Sequence, residues 1–290
     1  MIDINGKTCT ACGVCSDVCP GGVFAFQPVP GKGRTMKVVF PERCIVCGHC
    51  VAACPEGAVI HGEMPVRMFL DRPATSVSPE DIRTLLLSRR SVRAFNEKPV
   101  PGELITRLIE AGTHAGTASN GQTEDFVVIA DRKVLSELEG MAIEVLWKKV
   151  RPLGSGMGRL LARMRYGAEI VRQTMAYYEG FRRRRTEGLL KGMVFRGAPA
   201  VVLVYGLRSN LYAGTNCAIA VRNMEIMAQS LGLGTCWAGL FLAAAGFDKR
   251  LARRLSIPDD RAIYGAIMLG YPKHEYKKLI PRKERVVRWV

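Results

Sequence analysis

Cysteine spacing is the feature that most constrains this 290-residue chain, because eight of its ten cysteines fall into two quartets with the same spacing. The quartets are Cys9-x2-Cys12-x2-Cys15-x3-Cys19 and Cys44-x2-Cys47-x2-Cys50-x3-Cys54, each followed by proline. In this spacing three thiolates surround one iron–sulfur cube, while the fourth ligates the other cube. We therefore predict two [4Fe–4S] clusters, one on Cys9, Cys12, Cys15 and Cys54, the other on Cys44, Cys47, Cys50 and Cys19.

Two other uses of cysteine fit this pattern poorly. Structural zinc sites take four ligands, usually as two pairs, and do not need two quartets that each end in Cys-Pro. Disulfides form in oxidising compartments, and residues 1–7 lack the basic-then-apolar pattern of a secretion signal. No apolar run reaches the roughly 18 residues of a membrane helix. We therefore expect a cytoplasmic protein without a membrane span.

Residues 1–62 resemble the bacterial two-cluster ferredoxins. Besides the quartets, the resemblance rests on Gly13 and Gly48, which allow tight backbone beside a cluster. Short strands are predicted over Val23–Phe26 and Met36–Phe40, around a turn at Pro28–Gly33. His49, inside a cysteine gap, is expected to be a loop residue rather than a ligand.

The remaining chain has the pattern of a separate domain, with residues 63–77 as a linker and residues 78–290 as alternating helices and strands. Ser78-Pro79-Glu80-Asp81 predicts a helix start. Strands are predicted over Phe126–Ala130, Ala200–Tyr205 and Tyr264–Leu269. The helix predicted over Ala213–Leu231 is apolar nearly all round, so it should be covered on every side or shared with a second subunit.

The net charge of +16 invites the hypothesis of a nucleic-acid partner. However, residues 1–70 are nearly balanced, and the positive excess lies downstream. Residues 148–190 are predicted to form an amphipathic helical insertion with a basic face that includes the run Arg182–Arg185. Three roles stay open for it: a solvated lid or dimer arm, a docking face for an acidic partner or anionic substrate, or a nucleic-acid or membrane surface.

Five motifs follow one another in residues 78–290. Residues 88–95 read Ser-Arg-Arg-Ser-Val-Arg-Ala-Phe, and guanidinium forks with a hydroxyl suit a phosphate dianion. The other four are Ala118–Gln122, Gly197–Val202, Gly232–Trp237 and Leu269–Pro272. In this order and spacing the motifs resemble the nitroreductase family. The fold class expected is α+β: a ferredoxin-like two-cluster domain followed by a nitroreductase-like α/β sandwich domain, dimeric.

The resemblance implies FMN at the subunit interface of a homodimer, and it assigns roles to named residues. Arg89, Ser91 and Arg93 match phosphate ligands, with Arg90 in the same motif and Arg282 as a C-terminal phosphate ligand. Asn120 and Gln122 match groups that hydrogen-bond the flavin ring or ribityl chain. The turn that approaches flavin N5 comprises Trp237, Ala238, Gly239 and Leu240. The chain departs from the family at Thr123-Glu124, where Pro-Trp is frequent, and at Ile280, where a basic residue is frequent.

These resemblances imply an oxidoreductase that takes single electrons through two clusters and reduces a small organic acceptor from flavin N5. Nitroaromatic, quinone or activated-alkene acceptors are expected, with no nucleic-acid partner. Gly154–Gly158 is glycine-rich but follows no strand, so it is no dinucleotide fingerprint. Reduced ferredoxin or a similar low-potential carrier is the expected donor, with NAD(P)H, which many family members without clusters use, as the open alternative. The alternatives are a non-catalytic electron-transfer subunit and a nucleic-acid-binding protein, and no catalytic side chain is predicted.

Overall fold

The computed structural model describes residues 2–29, 33–74 and 76–290. The chain divides into two compact units. Unit 1 comprises Met1–Ser76 together with Thr117–Gly121, and unit 2 comprises Val77–Gly116 and Gln122–Val290. Within the described ranges, no helix is both long and apolar enough to cross a membrane.

Unit 1 contains two small antiparallel sheets. Strand β1 (Ile2–Ile4) pairs with β4 (Val59–His61), and β2 (Phe24–Val29) pairs with β3 (Gly33–Val38). Both strands predicted here are found, although the second begins three residues earlier and ends at Val38. The predicted turn includes Pro30–Lys32, which lie outside the described residues.

Two short helices of unit 1 follow glycines with left-handed backbone. Helix α1 (Val14–Asp17) follows Gly13, with φ 90°, and α2 (His49–Ala53) follows Gly48, with φ 71°. Only glycine adopts such angles without steric cost. A side chain at Gly48 would also meet Met64 and Phe69 at 3.0 Å, so the segment after β4 packs closely on this turn.

Unit 2 is built on one four-stranded antiparallel sheet, in the order β5-β6-β8-β7. Its strands are β5 (Asp125–Ile129), β6 (Ala200–Leu207), β7 (Gly234–Trp237) and β8 (Arg261–Gly270). Along β6, Val201 and Leu203 belong to one apolar core, while Val202 and Val204 belong to another. Successive side chains of a strand point to opposite faces, so helices cover both sides of the sheet. The predicted α+β class is confirmed.

The helices of unit 2 are, in chain order, α3 (Pro79–Ser88), α4 (Gly102–Thr113), α5 (Arg132–Val150), α6 (Gly156–Tyr166), α7 (Ala168–Thr186), α8 (Ala213–Ser230), α9 (Gly239–Phe247) and α10 (Arg250–Arg253). Helix α3 begins at a capping box: Ser78 Oγ accepts from the Asp81 N–H, and Asp81 Oδ2 accepts from the Ser78 N–H, each at 3.1 Å. Helix α8 buries the face toward α4, β6 and β8, but Thr215 and Ile219 are exposed. In the single chain it is therefore not covered on every side.

The basic segment is helical, as predicted, and contains the two helices α6 and α7. Helices α6 and α7 are separated by Gly167, whose φ of 84° ends the first helix. Trp147 of α5 stacks on Tyr178 and Phe181 of α7, with ring centroids 6.3 Å apart in each pair. The four arginines Arg182–Arg185 are exposed at the end of α7.

A buried carboxylate holds the chain that follows α7. Glu139 of α5 is 9% exposed, and its side-chain oxygens accept hydrogen bonds from the backbone N–H groups of Gly192, Val194 and Phe195. The three distances are 2.9, 2.8 and 3.1 Å. Charge-assisted bonds of this kind are stronger than neutral ones, so Glu139 fixes the return of the chain to β6.

Candidate functional site

Unit 1 contains two cavities of nearly equal size, and four cysteines line each of them. The first, of about 20 Å³, is lined by Cys9, Cys12, Cys15 and Cys54. The second, also of about 20 Å³, is lined by Cys44, Cys47, Cys50 and Cys19. In both cavities the fourth thiol comes from the other quartet. The thiols in each set line a cavity. Among the described residues, no three His, Cys, Asp or Glu side chains lie close enough together to hold a single metal ion.

Backbone N–H groups point at the cysteine sulfurs in the same way in both halves of unit 1. The donors and acceptors are Ala11 to Cys9 Sγ at 3.4 Å, Val46 to Cys44 Sγ at 3.4 Å, Val23 to Cys19 Sγ at 3.4 Å and Ala58 to Cys54 Sγ at 3.2 Å. Such hydrogen bonds stabilise negative charge on sulfur. They therefore suit thiolates that ligate a cluster.

Burial makes the inner thiols poor reactive groups on their own. It raises the pKa of Cys50 to about 11 and also raises the pKa of Cys15. Both thiols stay protonated at neutral pH without a metal, and a bound cation releases the proton. Four sulfur donors around each cavity, supported by N–H groups, fit a [4Fe–4S] cluster.

A buried imidazole that no sequence motif indicated lines the second cavity. His61 is 4% exposed, and its Nε2 lies 3.5 Å from Cys44 Sγ. Its Nδ1 accepts hydrogen bonds from the backbone N–H groups of Glu63 at 3.2 Å and Met64 at 3.1 Å. His49, the first residue of α2, lines the same cavity but is exposed.

Asn120, which the sequence resemblance assigns to the flavin, is bonded within unit 1. Its Nδ2 donates to the carbonyl oxygens of Ile45 at 3.2 Å and Val46 at 2.9 Å, in the loop between Cys44 and Cys47. Gln122, two residues later, belongs to unit 2. The assignment of both residues to a flavin stays a prediction.

In unit 2 the fold brings together three motifs that are distant in sequence. The extended chain after α3 lies beside β7, where Ser91 forms a parallel bridge with Thr235 and the Val92 N–H donates to the Thr235 carbonyl at 2.9 Å. Phe95 forms an antiparallel bridge with Pro272. Residues 88–95, 232–237 and 269–272 are thereby neighbours.

The predicted phosphate motif has a buried acidic partner. Arg89 Nη1 lies 3.4 Å from Glu225 Oε1, and Arg222 Nη1 lies 3.4 Å from Glu225 Oε2. The Glu225 side chain is 6% exposed. Two guanidinium groups share one carboxylate, so one positive charge of this trio is left for an anion.

The other members of the motif face different surroundings. Arg90 lines an open cavity of about 420 Å³ together with Lys273 and His274. Arg93 is exposed and Ser91 is half-buried. Since side chains alternate along extended backbone, Arg89 and Arg90 point to opposite sides.

The predicted N5 turn joins a strand to a helix. Strand β7 ends at Trp237, the Ala238 N–H donates to the Ala266 carbonyl at 2.8 Å, and Gly239 begins α9. The N–H groups of Gly239 and Leu240 lie in the first helical turn, where they have no partner within the helix.

Two further residues complete the set singled out in the sequence. Arg282 is exposed in the irregular segment after β8. Glu124, at the departure from the family, is held by Asn216 Nδ2, which donates to Glu124 Oε1 at 2.8 Å.

Comparison with known proteins agrees with this architecture. The model of the nitroreductase family matches residues 86–271, nearly two thirds of the chain. This chain belongs to the nitroreductase family. In addition, the model of the 4Fe-4S dicluster domain matches residues 8–58. The protein is thus a nitroreductase-family oxidoreductase with a ferredoxin-type dicluster domain at the N-terminal side.

Relatives and solved structures cover the nitroreductase part. A 4-nitrobenzoate reductase from Pseudomonas putida is 28% identical over 208 residues, which are 66% of this chain and 86% of that protein. An NADH dehydrogenase from Thermus thermophilus is 26% identical over 216 residues, 72% of this chain and 96% of that protein. A nitroreductase with bound FMN from Bacteroides fragilis superposes with a TM-score of 0.53 at 22% identity, covering 72% of this chain and 99% of that chain. The structural likeness establishes the fold.

Proposed function

We propose that this nitroreductase-family protein is an FMN-dependent reductase that receives single electrons through two [4Fe–4S] clusters. The observation that carries the proposal is the pair of cysteine-lined cavities, with crossed fourth thiols, in one chain with a nitroreductase domain. A small organic acceptor of the nitroaromatic, quinone or activated-alkene class would be reduced. The Pseudomonas putida relative is named a 4-nitrobenzoate reductase, which supports the first of these classes.

Each half of the protein has residues with a defined task. The eight quartet cysteines would hold the clusters. Arg89, Ser91 and Arg93 would bind the FMN phosphate, with Arg222 balancing the charge of Glu225. The N–H groups of Gly239 and Leu240 would face the flavin ring. When bound, the clusters supply one-electron transfer and the flavin supplies two-electron reduction.

We also propose a homodimer. Support comes from large apolar side chains exposed in the single chain: Ile219 on α8 is 40% exposed and Trp289 near the C-terminus is 93% exposed. Burial of such side chains against a second copy of the chain would remove apolar surface from water. We place the protein in the cytoplasm, where thiols remain reduced for cluster assembly.

The proposed electron donor is reduced ferredoxin or a similar acidic low-potential carrier. The exposed arginines Arg182–Arg185 form a positive surface, and opposite charge speeds the encounter of two proteins. NAD(P)H is the competing donor, since NADH stands in the name of the Thermus thermophilus relative.

The test is anaerobic purification followed by counting of iron, sulfide and FMN, and then rapid mixing with each donor. We expect two clusters and one FMN per chain, with faster flavin reduction by reduced ferredoxin than by NADH or NADPH. Cys54→Ser should slow reduction by ferredoxin, whereas Cys217→Ala, in the core of unit 2 on α8, should leave the rate unchanged. Fast flavin reduction by NAD(P)H alone would refute reduced ferredoxin as the donor. Absence of iron–sulfur clusters would refute the electron pathway through them.

A further inference from the structure

The two halves of unit 1 repeat with an offset of 35 residues, so residues of one half can be compared with their equivalents in the other. Cys9 and Cys44 correspond, as do Cys19 and Cys54. The N–H donors to these sulfurs correspond with the same offset, Ala11 with Val46 and Val23 with Ala58. Ala11 and Val46 even share a φ of 53°. The two cavities are thus built alike at the level of the backbone.

His61 breaks this symmetry. The corresponding residue in the other half is Phe26, which is 38% exposed and stacks under the Arg34 guanidinium, 3.9 Å from the ring centroid. The side chain of Phe26 has no N–H that could donate to a sulfur. His61 is buried and places Nε2 at 3.5 Å from Cys44 Sγ.

The tautomer of His61 follows from its other ring nitrogen. Nδ1 faces the backbone N–H groups of Glu63 and Met64, so it must act as the acceptor of both. A neutral imidazole carries one proton, which therefore lies on Nε2. His61 Nε2–H donates to Cys44 Sγ, and the two backbone bonds hold the ring in this orientation.

We propose that His61 is a positioning residue that holds the second cluster, on Cys44, Cys47, Cys50 and Cys19, at a higher reduction potential than the first. The inference rests on the proposed presence of two clusters. Hydrogen bonds to the sulfurs are one of the factors that set cluster potential. An N–H···S bond stabilises the reduced cluster more, since its sulfurs carry more negative charge.

The consequence is a direction for electron flow within unit 1. With both clusters bound, one electron would pass from the reduced first cluster to the oxidised second cluster, so that the first is oxidised and the second reduced, with no proton transferred. The loop between Cys44 and Cys47 is also the one that binds the Asn120 amide, two residues before the predicted flavin ligand Gln122. Within unit 1, the second cluster is thus the one that would hold the electron at equilibrium.

The experiment is a spectroscopic redox titration of the full-length holoprotein, after iron and sulfide have been counted. The wild type should show two separate one-electron midpoints. In His61→Leu the more positive midpoint should move negative, so that the reduced-to-oxidised ratio of that cluster at a fixed potential falls about tenfold, or about 59 mV for one electron. His61→Gln retains a donor and should restore most of the difference. His49→Gln, on the same cavity without a bond to sulfur, should leave both midpoints in place.

The outcomes separate this inference from the proposed function. A wild type with fewer than two clusters by iron content would refute the two-cluster pathway. A wild type with two clusters that titrate together would overturn the role of His61 without any variant. Unchanged midpoints in a His61→Leu protein with full iron content would overturn it as well.

Discussion

Replacing Gly234 by alanine should weaken FMN binding by pushing the phosphate motif away from β7. Gly234 is buried, and an added Cβ would lie 2.6 Å from Val92 Cγ2 and 2.8 Å from Val92 Cβ. Real Cβ atoms do not approach other atoms so closely. Val92 is 6% exposed and β-branched, so its side chain has little freedom to turn away. The backbone on either side of it, including Ser91 and Arg93, must move instead.

The loss of FMN affinity in Gly234→Ala follows from the contacts that the added methyl group disturbs. Overpacking of this kind costs about 1–3 kcal/mol of stability. Loss of one charge-assisted hydrogen bond to the phosphate costs about 1.5–3 kcal/mol of binding free energy. At about 1.4 kcal/mol for each factor of ten, the Kd for FMN should rise about ten- to hundredfold.

The assay is fluorescence titration of FMN into flavin-free protein that retains its iron. Gly246→Ala in α9 is the matched control, because a Cβ there meets nothing within 4 Å, and its Kd should equal that of the wild type. Val92→Ala added to Gly234→Ala should recover part of the affinity by making room. A folded Gly234→Ala protein that binds FMN as tightly as the wild type would show that the approach of residues 91–93 to β7 does not position the phosphate site.

Three further outcomes follow from the contacts described. Glu139→Ala leaves three backbone N–H groups without their acceptor, so it should lower the free energy of unfolding by about 3–5 kcal/mol. Amide hydrogen exchange over residues 192–195 should become faster. Exchange at the wild-type rate would contradict this role of Glu139. Burial raises the pKa of Cys217 to about 12, so the thiol is almost wholly protonated from pH 7 to 9, and native protein should resist alkylation there over that range, as measured by mass spectrometry. Labelling of Cys217 under these conditions would refute its burial. Cys54→Ala should remove the cluster of Cys9, Cys12 and Cys15 while sparing the other, and an iron count at the wild-type level would exclude the crossed ligation.

The features that could be predicted from sequence are those fixed by local spacing or local caps. The cysteine quartets are local patterns, and the cavities are lined by the sets assigned to them. Ser78 caps α3 as its spacing to Asp81 indicated. The predicted strands appear because β6 and β8 are apolar along their length and are covered on both faces.

The contacts that escaped prediction join residues far apart in the chain. Arg89 meets Glu225 across 136 residues, and Asn120 meets Ile45 across 75. No local period encodes such pairs. His61 lies 17 residues from Cys44, and only a comparison of the two halves, with Phe26 in the equivalent position, could have singled it out. The sequence shows a single glycine at Gly167, where the basic segment is divided into two helices. Tertiary packing decides whether such a glycine ends a helix.

The most direct test of the central claim is rapid-mixing spectroscopy of the anaerobic protein with a low-potential ferredoxin. In the wild type, absorbance of the clusters should bleach before that of the flavin, and the flavin should then be reduced fully. In a protein freed of iron but still holding FMN, the same donor should leave the flavin oxidised over that time. Equal rates of flavin reduction with and without the clusters would contradict the account, because the electrons would then reach the flavin without passing through unit 1.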